Sequence, residues 1–128
     1  MDIKQEEKAW AEIKKKNRFF HAFRGWYVFY KTTRNLKIHL LIAIFVVFLG
    51  FYFSVSNYEW LALIFSITLV LASEAFNTAI EIDMDLTSPQ YHPFARDTKD
   101  VAAGAVLITA LGAVIIGLII FWPKVFVL

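Results

Sequence analysis

Residues 101–122, VAAGAVLITALGAVIIGLIIFW, contain no charged side chain. A run of about 20 apolar residues is the length at which an α-helix crosses bilayer hydrocarbon. In lipid every backbone N–H and C=O must be bonded internally, so a single run of this kind folds as a helix. Two further segments obey the same rule. Residues 38–58 carry no formal charge, and residues 60–73, WLALIFSITLVLAS, open a middle segment that continues to about residue 86. Hydrophobic residues make up 59 % of the chain, above the usual range of about 45–50 %, and mean hydropathy is +0.56. The expected class is an all-α integral membrane protein, a single domain over residues 1–128, with transmembrane helices near 38–58, 60–86 and 101–122, a short turn at Ser54-Val55-Ser56-Asn57, a two-proline loop over 87–93 and a last span closed by Pro123 and Lys124. Cysteine is absent, which excludes a disulfide framework and any thiolate metal site.

What precedes the first span is strongly basic. Ten of the thirteen Lys and Arg residues lie before residue 38, in a segment too long and polar for a cleaved signal peptide. Residues 1–16 have few apolar anchors (Ile3, Trp10, Ile13), so a frayed or disordered start is expected. Over residues 17–36, Phe20, Phe23, Tyr27 and Tyr30 recur at three and four residues among Arg18, Arg24, Lys31 and Arg34. This pattern predicts an amphipathic helix lying in the membrane interface, rings towards lipid and charges among headgroups. Anionic membrane lipid, not nucleic acid, is the partner such charges expect beside a span. The bias of Lys and Arg puts the N-terminus and the 87–100 loop in the cytoplasm. Small residues at 102–105, Ala113 and Gly117, with Ala75 and Ala79, predict close packing of the second and third spans.

The chemistry is concentrated at the end of the middle segment. On a helix of about 100° per residue, Glu81 and Asp85 each lie within ~20° of Glu74, and Asn77 lies ~60° to the side. An acidic residue inside a span costs about 2.5–3.5 kcal/mol, so it is rare and usually functional. For Glu81 and Asp85 the plain alternative is that they mark where the helix leaves the bilayer. Glu74, desolvated and followed by Ala75 and Phe76, suits a general base. Glu81 could hold Mg²⁺ beside substrate phosphates, and Asn77 could hydrogen-bond a hydroxyl. Lys99, near the start of the third span, could offer a charge to phosphate, or it could simply snorkel to the interface. His92 could equally be an exposed loop residue or a cap. Asp97 and Asp100 suit the N-cap and first turn of that span. Together these are the parts of a phosphoryl transfer to a lipid-borne hydroxyl.

The motifs Glu74-Ala75-Phe76-Asn77-Thr78-Ala79-Ile80-Glu81, Ser88-Pro89-Gln90-Tyr91-His92-Pro93 and Lys99-Asp100-Val101-Ala102-Ala103-Gly104 resemble the bacterial diacylglycerol kinase and undecaprenol kinase family. Phe23-Arg24-Gly25, Arg34-Asn35 and Ile38-His39 extend the resemblance, which runs from about residue 18 to 123. The resemblance implies three spans plus an interfacial helix, a homotrimer with shared sites, and ATP with Mg²⁺ at the cytoplasmic face of a bacterial inner membrane. It implies Glu74 as the base, Asn77 as its orienting neighbour and Glu81 as the metal ligand. Gln90, Tyr91, His92, Lys99 and Asp100 would contact ATP together with Glu81, and Phe23, Arg24 and Gly25 would line the lipid site with Glu74. Two positions depart from the family pattern. Thr33 stands where a second metal-binding glutamate is usual, and Gln90 where glutamate is frequent.

Two other function classes fit the same residues. One is an inactive family member acting as an assembly subunit, which Thr33 would suit. The other is a small proton- or ion-conducting oligomer using Glu74 and Glu81 as relays, although residues 101–122 hold no ionisable group to continue the path. The acceptor, undecaprenol or diacylglycerol, is open on these residues. The ending Gly117-Leu118-Ile119-Ile120-Phe121-Trp122-Pro123-Lys124 resembles the Gram-positive branch and inclines towards undecaprenol.

Overall fold

The computed structural model describes residues 2–127. Among them are five helices and no strand: α1 (Ile3–Lys15), α2 (Arg18–Thr32), α3 (Leu36–Tyr52), α4 (Asn57–Thr87) and α5 (Pro93–Phe126). The chain divides into two compact units, one ending at Thr32 and the other beginning at Thr33.

The first unit holds α1 and α2. The segment expected to fray is helical from Ile3, because Glu6, Glu7, Lys8, Ala9 and Ala11 are good helix formers even where no apolar face is buried. Asn17 caps α2, its Oδ1 accepting from the Phe20 backbone N–H at 2.9 Å. The helix stops at Thr32, short of the 17–36 range the pattern suggested. Phe23, Trp26 and Tyr27 are all more than half exposed, so α2 presents a ring-rich face that its own unit does not cover.

The second unit holds α3, α4 and α5. Two of its helices, α4 and α5, are long and apolar enough to cross a membrane. Only 6 % of the most apolar stretch of α5 is buried, so the rest of the chain leaves most of this helix uncovered. α4 packs mainly on α5 and to a lesser extent on α3. Since lipid tails are as apolar as Leu, this packing gains little from expelling water and depends on dispersion and hydrogen bonds. Leu63, Ile120 and Val55 form the buried cluster at the end of the unit nearest the α3–α4 turn. At mid-length, Ser73 and Thr109 pair at 2.8 Å between α4 and α5.

The α3–α4 turn explains why the first apolar run ends earlier than its composition suggests. Ser54 adopts φ 49°, in the left-handed region. The Val55 N–H bonds to the Gly50 carbonyl and the Ser54 N–H to that of Phe51, which closes α3 by a Schellman motif. Ser56 and Glu59 then form a reciprocal capping box at the start of α4. These two devices terminate α3 at Tyr52, six residues before the expected end of the span. At Gly50 an added Cβ would stand 2.5 Å from the Trp60 ring, so this glycine is a packing contact and not a break.

Three expectations about α5 need correction. It starts at Pro93, with His92 as its cap, so Asp97 and Asp100 lie inside the helix and not at its first turn. Pro93 suits the first helical position because its missing N–H would be unbonded there anyway. At the far end Pro123 does not close the helix, which continues to Phe126. Finally, α4 and α5 do pack on each other, with Ala102 buried, but the small residues take part only in places. A Cβ at Gly104, Gly112 or Gly117 would meet no atom within 4 Å, and Ala79 is exposed.

Candidate active site

α4 positions the acidic column without a break, because no Gly or Pro interrupts its 31 residues. Measured from Trp60, Glu74 lies ~21 Å along the axis and Glu81 ~31 Å. Hydrocarbon about 30 Å thick beginning at Trp60 would enclose Glu74 and end near Glu81. Glu74 is buried at 5 % exposure. Its carboxylate Oε1 meets His39 Nε2 from α3 at 2.7 Å. Charge buried in apolar surroundings persists only when bonded, and this contact meets that requirement.

One turn further on, Asn77 Nδ2 donates to Glu81 Oε1 at 3.2 Å. The other end of this amide, Oδ1, is buried and has no hydrogen-bond partner. The Glu81 carboxylate and an amide carbonyl with unused acceptor capacity thus lie one turn apart on the same helix. No group of three or more His, Cys, Asp or Glu side chains clusters among the described residues. That is the donor set expected of Mg²⁺, which keeps its waters and takes one or two carboxylates beside substrate phosphates. The residues present fit such an ion shared with a nucleotide, and do not form a cage of their own.

Thr33 is not on α2 but in the break before α3, and its hydroxyl pairs with that of Thr78 at 2.6 Å. It meets the column between Glu74 and Glu81, with no bond to Glu81 itself. At the exit of α4, Lys99 forms an ion pair with Asp85. His92 Nδ1 accepts from the Phe94 backbone N–H at 3.1 Å, a capping role. Gln90, Tyr91, His92, Lys99 and Asp100 line one open depression of about 270 Å³, together with Asp85 and Arg96. Arg96 donates from Nη1 to the Tyr91 hydroxyl at 3.2 Å and pairs with Asp97. A guanidinium is a stronger bidentate phosphate ligand than a lysine ammonium.

A second cavity, also of about 270 Å³, opens among α3, α4 and α5. Its walls are hydrocarbon apart from His39 and Ser66, and Ala43, Ala110, Ala113 and Gly117 make the room. The small residues of α5 therefore leave a space rather than a contact. Phe23, Arg24 and Gly25 belong to α2 of the first unit.

The structure thus gathers the five loop and α5 residues into one depression and puts Glu74, Asn77 and Glu81 along one helix. Sequence reasoning missed two participants. His39 reaches Glu74 across 35 positions of chain, a distance that no local periodicity encodes. Arg96 could have been noticed as a guanidinium three residues before Lys99, on the same helix face at ~60°.

Comparison with known proteins identifies the family. The family model described as prokaryotic diacylglycerol kinase matches residues 20–121. An undecaprenol kinase of Bacillus subtilis (strain 168) is 42 % identical over 112 residues, covering 84 % of this chain and 91 % of its own. A diacylglycerol kinase of Synechocystis sp. is 37 % identical over 100 residues, which are 77 % of this chain and 57 % of that one. For the diacylglycerol kinase of Escherichia coli (strain K12) the identity is 40 % over 60 residues, 47 % of this chain and 49 % of the relative. With a match over most of its length and a relative of this similarity, the chain belongs to the prokaryotic diacylglycerol kinase family, whose members are membrane lipid kinases.

Proposed function

We propose that this chain transfers the γ-phosphoryl group of ATP to the hydroxyl of a lipid alcohol at the cytoplasmic face of the bacterial inner membrane. The observation that carries this reading is Glu74, a carboxylate 5 % exposed at membrane depth whose partner is a single imidazole. Glu74 takes the hydroxyl proton while the lipid oxygen bonds to the γ-phosphorus. The bond from that phosphorus to the bridging oxygen breaks, and its electron pair leaves with ADP. Asn77 fixes Glu81 and offers its own Oδ1. Bound with ATP, Mg²⁺ would neutralise charge on the phosphates, with Glu81 and Asn77 as its protein ligands. Gln90, Tyr91, His92, Lys99, Asp100 and Arg96 hold the nucleotide in the depression at the exit of α4. The apolar cavity beside His39 receives hydrocarbon of the lipid; in the first unit, Phe23, Arg24 and Gly25 of α2 are lipid-contacting residues by the family resemblance.

In this reading α3, 17 residues long and hence ~26 Å, is a third span at the lower limit of length. α2 lies in the interface, and the N-terminus is cytoplasmic. Three chains form a trimer and share their sites, the whole of each acting as one lipid-kinase domain. Undecaprenol is the favoured acceptor, because the relative named for it covers the greater share of both chains.

Purified protein in lipid vesicles, given γ-labelled ATP and either undecaprenol or diacylglycerol, tests the reading. Label should pass to lipid, faster with undecaprenol. Proton flux without labelled lipid would instead identify a conducting oligomer, and neither activity would identify an assembly subunit.

A further inference from the structure

His39 stands apart from every other residue of α3. Past Lys37, the helix LKIHLLIAIFVVFLGFY carries no other imidazole, carboxyl or ammonium group. The ring leaves the hydrocarbon surface of α3 to meet Glu74 of α4 at 2.7 Å, with the two side chains 22 % and 7 % exposed. Among the described residues no other group donates a hydrogen bond to this carboxylate.

A nitrogen and an oxygen 2.7 Å apart require one proton between them. With Glu74 ionised, as a base is before it acts, the carboxylate only accepts, so the hydrogen is on Nε2 and Oε1 is engaged. The free oxygen of Glu74 is then Oε2. Two properties make an imidazole suitable here. It has only two side-chain torsions, so it restrains the carboxylate more tightly than a lysine would. It can also donate while uncharged, and so leaves the carboxylate its full negative charge; a permanent cation would weaken it as a proton acceptor.

We propose that His39 is a positioning residue for phosphoryl transfer, its Nε2–H holding Oε1 of Glu74 so that Oε2 is turned to the acceptor hydroxyl. This rests on the reading of Glu74 as the base. The proton of the lipid hydroxyl passes to Oε2, while the Nε2 proton stays on His39. Protonated Glu74 returns the proton to water before the next cycle. His39 also lines the apolar cavity, so the oriented carboxylate stands beside the space proposed for lipid hydrocarbon.

The test measures transfer from ATP to undecaprenol by the reconstituted full chain in four variants: His39→Phe, His39→Met, His39→Gln and Glu74→Gln. A lost base costs about 10²–10⁴-fold, and loss of its orientation alone should cost less. His39→Phe and His39→Met should therefore lower kcat about 10–100-fold, with KM for ATP within about twofold of wild type. His39→Gln, whose side-chain amide can donate from a similar reach, should regain most of that loss. A merely structural histidine would not give this pattern, because damage to packing would move KM for ATP and would not be rescued by an amide. The proposal is overturned if His39→Phe or His39→Met keeps kcat within about twofold while Glu74→Gln is inactive. It is overturned equally if Gln falls as far as Phe and Met do. Retention of rate by Glu74→Gln would remove the base itself, a result distinct from either.

Discussion

At the scale of single residues, two backbone positions, one amide and one hydroxyl make sharp predictions. Gly50→Ala adds a Cβ 2.5 Å from the Trp60 ring, and that ring is itself packed 4.9 Å from Phe51. Alanine gains up to about 1 kcal/mol of helix propensity, whereas overpacking costs about 1–3 kcal/mol. The substitution should therefore lower the thermal midpoint in detergent. Ser54→Gly should raise it, because serine at φ 49° is in a conformation that costs an L-residue about 1–2 kcal/mol. Asn77→Ala removes both the donor that holds Glu81 and the unbonded Oδ1 beside it. Loss of such a partner weakens metal sites about 10–100-fold, so the Mg²⁺ concentration for half-maximal rate should rise by a factor in that range. Thr33→Glu should lower it, by putting a carboxylate where the hydroxyl now meets Thr78, one turn from Glu81.

At the scale of elements, what the sequence disclosed depended on whether the signal was local. The middle helix with Glu74, Asn77 and Glu81 was legible because one periodicity runs through all three. The 87–93 loop was legible from its prolines. The turn at 54–57 was legible from its Ser-Val-Ser-Asn sequence, but not the residue at which α3 stops, which is set by a serine in a conformation that usually marks glycine. The Ser56–Glu59 box was present in the letters but straddled the end of the charge-free run. Asp97 was credited with the cap that His92 supplies, although Pro93 is the stronger signal for a first helical position. Ser56→Ala should cost about 1 kcal/mol of stability. What is lost is the Ser56 Oγ acceptor for the Glu59 N–H, while the bonds from the backbone N–H of residue 56 and from Lys124 to the Glu59 carboxylate remain. The loss should therefore appear as a lower stability of the α4 N-terminus with the Glu59–Lys124 pair kept, measurable by unfolding in mixed micelles.

At the scale of the whole molecule, the apolar pattern correctly announced helices long and apolar enough to cross a membrane but assigned the small residues only in part. Ala110, Ala113 and Gly117 of α5 line a cavity, and Ala79 is left exposed. Such spacing states that backbones can approach, not which backbone does so. In the proposed trimer that exposed face meets another copy, so Ala79→Leu should shift the protein towards smaller species in size-exclusion chromatography in mild detergent. Reporter fusions should find the N-terminus cytoplasmic and the C-terminus opposite, as three spans require. The central claim is that Glu74 removes the proton from a lipid alcohol. The direct measurement is the single-turnover rate of γ-phosphoryl transfer to undecaprenol by wild type and Glu74→Gln, with ATP affinity measured in parallel. The amide retains shape but cannot take the proton, so the rate should fall about 10²–10⁴-fold while ATP binding is unchanged. A Glu74→Gln protein that keeps more than about a tenth of the wild-type rate would contradict the account.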